Sequence, residues 1–328
     1  MGSSLAQFAF VWWLTEETGS AGVLSLASMA ALLPEMVMQP FAGAIVDRND
    51  RKLFIILNDA IIALATLVVG LLFYFGKIAV WHIYIMMAVR AVASAFHYPA
   101  SQATVALMVS PEHLTRISGL NQALQGIVRI VAPALGALIL SVAGVEGAVL
   151  IDVITSLMAI GIVLFLAIPK QPQLNKKDGH WFKIILSDMR EGFQYLLRWK
   201  GLMGLTAMAL IVKIALTPAF SLISLLVQNH FGGGAAEFSR IEMSIGVGVI
   251  AGSLLLGIWG GFRKHMGTII CGIAGMGVGM LLLGVLPSQQ FLPALAAALL
   301  LGFMIPIVDA RLWQSCRQKY IMSFRVAY

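Results

Sequence analysis

Four charged side chains lie deep inside apolar runs long enough to cross a bilayer: Glu35, Arg90, Arg129 and Lys213. A charge at the centre of a membrane helix costs roughly 2.5–3.5 kcal/mol on insertion scales. Such groups are therefore candidates for handling ions or substrate. Glu35 lies about eleven residues before the basic turn that closes its run, which is near mid-membrane. A carboxyl at that depth can exchange a proton as its access to water alternates, and that is the chemistry of proton coupling. The alternative for Glu35 is a polar neighbour or the headgroup region, and Pro34 and Pro40 bend its run. Arg90 keeps its charge and needs a carboxylate, carbonyls or water beside it. Asp59 and Asp152 fall nearer the ends of their runs and read as orienting charges.

The aromatic residues Phe8, Phe10, Trp12, Trp13, Phe96 and Tyr98 suit either a cavity for a bulky amphipathic substrate or lipid and interface packing. No phosphate-cradling Walker-type run is present, and the scattered His residues lack metal-ligand spacing. No convergent nucleophile or acid–base set argues for an enzyme. No ATP site, cofactor or metal is expected, and energy would come from an ion gradient, with the proton gradient the expected source. Cys271 and Cys316 make no disulfide framework. The N-terminus lacks the basic flank of a signal peptide, and Ala6 departs from the myristoylation pattern.

The elements that must position these residues are membrane helices. Of 328 residues, 59% are hydrophobic and only 11% charged, with mean hydropathy +0.90. Soluble domains carry about 25% charged residues, so this chain lacks the polar surface to face water all round. The net charge of +7 does not argue for nucleic acid, because the basic residues sit between apolar runs and not in one patch. A span needs roughly 20 apolar residues. That length gives ten segments, at about 1–16, 21–46, 53–75, 81–107, 117–141, 147–168, 202–228, 241–262, 267–286 and 290–308. Residues 1–14 would rise only about 21 Å, so the first segment reads as the second half of a span. Thirteen Lys and Arg follow spans 2, 4, 6 and 8, against Lys77 and Arg240 in the alternate loops. The first set is therefore expected in the cytoplasm, with both ends of the chain inside.

The longest polar stretch, 169–200, divides the chain. The expected organisation is an all-α membrane protein with an N-terminal bundle over 1–168, a cytoplasmic linker over 169–200 and a partial C-terminal bundle over 201–308. In the linker, Trp181, Ile184, Ile185, Met189, Phe193 and Leu196 share one helical side and predict an amphipathic helix at the membrane face. Residues 309–328 break the apolar pattern and read as an out-of-frame tail. Gly43 to Lys52 after span 2 is echoed by Gly257 to Lys264 after span 8, as in parallel repeats. Gly248 with Gly252, Gly257 with Gly261, and Gly275 with Gly279 are expected at close helix crossings.

The run Gly43-Ala44-Ile45-Val46-Asp47-Arg48-Asn49-Asp50-Arg51-Lys52 resembles the loop signature of the major facilitator superfamily. Trp12 to Ala21, Phe96 to Ala100, Arg190 to Leu196, Phe231 to Ala235 and Leu256 to Phe262 resemble its macrolide-efflux and enterobactin-exporter-like branch. The resemblance implies two six-helix bundles, of which about ten spans are present. It also implies a cytoplasmic gate formed by Gly43, Asp47, Arg48, Arg51 and Lys52. Arg90 is similar to the span-4 base of drug–proton antiporters and, with Glu35, is a proton-coupling candidate. Spans 1, 4, 7 and 10 line the cavity in this superfamily, which makes Lys213, Phe8, Trp12 and Phe96 candidate cavity residues. Span 5 sits between the bundles there, which makes Arg129 structural. Pro133 and Gly136 belong to a run similar to the antiporter signature of span 5. The implied function is secondary export of a small organic compound, macrolide-like drug or siderophore, by proton antiport in the cytoplasmic membrane. The partners implied are the lipid bilayer, the amphipathic substrate and protons, with the protein a monomer. The alternative is a truncated remnant that does not transport.

Overall fold

The computed structural model describes residues 1–46, 49–110, 113–166, 200–259 and 265–326, with Gln194 and Leu197 singly. The expectations for Asp47, Arg48 and the amphipathic linker helix fall outside these residues. Among the described residues the chain forms nine α-helices. They are α1 (Gly2–Thr18), α2 (Ala21–Val46), α3 (Arg51–Tyr74), α4 (Val80–Met108), α5 (Leu114–Phe165), α6 (Lys200–Asn229), α7 (Ala235–Trp259), α8 (His265–Val285) and α9 (Phe291–Val326). Seven of them, all but α1 and α4, are long and apolar enough to cross a membrane. α1 has only 17 residues, and α4 carries His82, Arg90 and His97. Large apolar side chains face outward along the helices, with Leu64, Leu138, Leu254 and Leu281 all more than half exposed. An exterior of this kind is matched to lipid.

The expected spans 5 and 6 are both contained in α5. Its apolar segment of 46 residues would extend about 70 Å if straight, more than twice the hydrocarbon thickness. Gly144, at φ 62° and ψ −164°, breaks it. A Cβ on Gly147 would stand 3.1 Å from the Ile139 side chain, whereas a straight helix separates positions eight apart by about 12 Å. The helix therefore turns back on itself at a backbone conformation that glycine adopts without strain. No loop over 142–146 is needed.

α1 to α5 pack together, α2 against α4, α1 and α3 against α5, and α3 against α4. α9 packs against both α7 and α8. The two groups meet where α5 crosses α7 and where α2 faces α6. Glycine makes the α7–α9 contact possible. A Cβ on Gly248 would meet the backbone of Leu299 and Phe303, one on Gly252 the backbone of Phe303, and one on Gly302 the backbone of Ile245. Gly275 and Gly279 admit Met304 and Leu301 of α9 against α8 in the same way. These pairs were expected from spacing. The expected pair Gly257 and Gly261 lies outside the residues whose packing is described.

Two boundaries differ from the sequence expectation. α7 begins at Ala235, not 241, because Gly232 at φ 64° ends the preceding turn and Glu237 accepts from the Gly234 N–H at the new helix start. α9 runs past 308 to Val326. Ala310, Arg311, Leu312, Gln314, Arg317, Gln318 and Lys319 are good helix formers, and helix formation does not require the segment to be apolar.

Candidate functional site

A cavity of about 490 Å³ lies where the two groups of helices meet. α1 contributes Ser4, Gln7, Phe8 and Val11, and α5 contributes Gln125, Val128, Arg129, Ala132 and Pro133. α6 gives Thr217, Phe220 and Ser221, and α7 gives Phe238, Glu242, Ile245 and Gly246. On each helix these positions recur at three- and four-residue steps, so each helix presents one face. The volume falls within the roughly 300–1,000 Å³ of ligand pockets.

The apolar wall is aromatic. Phe8 stacks on Phe238 with centroids 4.9 Å apart, and Trp12 backs Phe238 at 5.8 Å. Gly136 makes room for this ring, since a Cβ there would stand 2.7 Å from the Phe8 ring. The polar wall has hydroxyls whose protons are already committed. Thr217 donates to the Lys213 carbonyl at 2.8 Å and Ser221 to the Thr217 carbonyl at 3.3 Å. Their lone pairs remain available as acceptors. Arg129 and Glu242 are the charges of the lining, one on each side of the α5–α7 crossing. That crossing is close because Gly246 packs on the Arg129 backbone and Gly126 on Ile250.

Of the candidate cavity residues, Phe8 is in the lining; of the span-5 run singled out as antiporter-like, Pro133 is in the lining and Gly136 packs behind the Phe8 ring. Arg129, expected to be structural, is in the wall. Glu242 was missed, because a span starting at 241 put it at the membrane edge, whereas α7 starts two turns earlier. Lys213 is exposed and is not in the lining. Trp12 is buried behind the aromatic pair. Phe96 lies away from the cavity against Phe54, centroids 6.0 Å apart.

Arg90 lies in a separate polar cluster within the first bundle. Its Nη1 donates to Asp152 Oδ2 at 2.6 Å and to Thr66 Oγ1 at 2.7 Å. Thr66 donates to the same carboxylate at 3.0 Å, and Ser3 donates to its other oxygen at 2.9 Å. Asp152 is fully buried, so it is the partner the Arg90 charge requires and not an orienting charge near a span end. Glu35 accepts from Gln39 Nε2 at 3.1 Å one turn along α2. His97 stands 3.4 Å from Asp59.

Of the expected gate, Gly43 has nothing within 4 Å of an added Cβ. Arg51 Nη1 donates to the Ala103 carbonyl at 3.1 Å. Lys52 Nζ donates to the Leu164 and Leu166 carbonyls at 2.8 and 2.9 Å. A cation at the end of α5 satisfies orphan carbonyls and complements the helix dipole. Asp50 caps α3 by accepting from the Lys52 and Leu53 N–H groups. The basic turn therefore fastens α3 to α4 and α5.

Thr15 and Ser224, both fully buried, join α1 to α6 through hydroxyls 2.7 Å apart. Thr15→Val should cost about 1 kcal/mol, read as a lower melting temperature of the detergent-solubilised protein. Adding Ser224→Ala should cost little more, because the shared bond is already gone. Fully additive losses would refute the link.

The family model described as Major Facilitator Superfamily matches residues 1–323. The chain is 34% identical over 304 residues to Macrolide efflux protein A of Streptococcus pyogenes, covering 93% of this chain and 74% of that protein. It is 34% identical over 289 residues to Macrolide efflux protein A of Enterococcus faecalis, covering 88% of each. Multidrug efflux pump Tap of Mycolicibacterium fortuitum is 24% identical over 318 residues, 92% of this chain and 74% of that one. Among solved structures, a D-xylose-proton symporter superposes with TM-score 0.54 at 11% identity, covering 94% of this chain and 80% of its own.

Proposed function

The chain belongs to the major facilitator superfamily of transporters, and from that premise we propose that it exports a macrolide-like amphipathic compound by proton antiport. The observation that carries this reading is the cavity between the two helix groups, with an aromatic wall, a polar wall and opposed charges. A site at the interface of two bundles can be opened to one side at a time by rocking one bundle against the other. The relatives named for macrolide efflux support the substrate class. Glu35 and Arg90 remain the proton-coupling candidates, and Asp47, Arg48, Arg51 and Lys52 with Gly43 the inner gate. The protein acts as a monomer in the cytoplasmic membrane, with its basic loops and both ends of this chain inside.

Cells expressing the protein should accumulate less erythromycin than cells carrying an empty vector. Collapsing the proton gradient with a protonophore should erase the difference. Equal accumulation in both cell types rules out export, and a difference that survives the protonophore rules out proton antiport.

A further inference from the structure

We propose that Glu242 is the residue by which the cavity selects amphipathic substrates that carry a protonated amine. The inference rests on the export reading and narrows its substrate class. Three features of the wall favour a cation. The first is charge. Glu242 is the carboxylate among the described lining residues, and neither it nor Arg129 has an opposite charge within 4.0 Å among the described residues. No described group donates a hydrogen bond to Glu242. Arg129 acts on Glu242 only from beyond ion-pair distance, so a ligand cation in direct contact with the carboxylate adds an attraction that the wall itself does not supply. The attraction falls as the inverse of distance and is strongest in contact.

The second feature is aromatic. Phe238, one turn before Glu242, stacks on Phe8, and Phe220 joins the same lining. Ring faces attract ammonium groups and pack against an apolar scaffold. The third is hydrogen bonding. Thr217 and Ser221 have given their protons to backbone carbonyls, so they offer acceptors to an N–H⁺ donor. An anionic ligand would find Arg129 and the Gln7 and Gln125 amides, but it would also face the carboxylate and those lone pairs. Arg129 opposes the amine from the other bundle, at more than ion-pair distance from Glu242, where contact attraction outweighs it.

The test uses full-length protein in nanodiscs with two probes. One is erythromycin, whose amino sugar carries a protonatable dimethylamine. The other is its N-demethyl-N-acetyl derivative, which keeps the scaffold and loses the charge. Glu242→Gln should weaken erythromycin binding about 30-fold and change binding of the uncharged derivative less than about twofold. Glu242→Asp should recover part of the loss. Arg129→Gln should tighten erythromycin binding by about threefold to tenfold, which gives a reading even if Glu242→Gln does not fold. Unchanged erythromycin affinity in Glu242→Gln, equal losses for both probes, or weaker binding in Arg129→Gln would overturn the proposal. Charge-selective binding by a protein that exports neither probe upholds the proposal and sinks the export reading instead.

Discussion

Asp152→Ala should remove about 3–5 kcal/mol of stability, because it leaves the Arg90 guanidinium inside the bundle without its carboxylate. The Arg90 side chain is 11% exposed and that of Asp152 is fully covered, so water cannot replace the missing partner. Thr66 and the Ser3 carbonyl would still contact Arg90, but neither carries charge. The measurement is the melting temperature and monodisperse yield of the solubilised protein. Arg90→Met combined with Asp152→Leu should regain most of the loss, since replacing both members of a buried pair removes the cost of desolvating them. A single variant as stable as the parent would contradict the buried network. The double variant also separates two roles for Arg90. If it folds but no longer exports under a proton gradient, Arg90 takes part in coupling. If it exports normally, the pair only holds α1, α3, α4 and α5 together.

Gly302→Leu should prevent α9 from docking on α7. A Cβ at that position would run into the Ile245 backbone, and backbone cannot rotate aside as a flexible side chain can. Overpacking of a filled core costs typically about 1–3 kcal/mol. A backbone obstacle at a helix crossing belongs at or above the upper end of that range. Gly277→Leu on α8 is the control, because nothing stands within 4 Å of a Cβ there. Folded yield by fluorescence-detected size exclusion should collapse for Gly302→Leu and stay at parental level for Gly277→Leu. Equal yields would mean that the close contact of α7 and α9 is not what holds this part of the protein.

The export experiment reads the site, while these two substitutions read the scaffold that forms it. They are linked through α7. The helix that packs on α9 through Gly248 and Gly252 turns its other side to α5 and carries Glu242 into the cavity. Loosening the glycine crossing would therefore be expected to disturb the aromatic wall as well, through Phe238 and its contact with Phe8.

Composition and run length are enough to identify a membrane protein of many spans and to locate most of those spans closely. Run length and cation placement are local properties, and the bilayer acts on them one segment at a time. The sequence also carried the family, through Gly43 to Lys52 and the runs that resemble efflux proteins, and it pointed to Phe8, Pro133 and Gly136. Which charges meet is visible only in the folded chain. Arg90 and Asp152 are 62 positions apart, and each alone reads only as a charge in an apolar run. Arg129 and Glu242 come to one cavity because the α5–α7 crossing at Gly126 and Gly246 fixes which way each helix faces. One residue of rotation is about 100° on a helix, enough to turn any of these side chains from the cavity to the lipid. Packing at the crossings, not pattern along the chain, sets that angle.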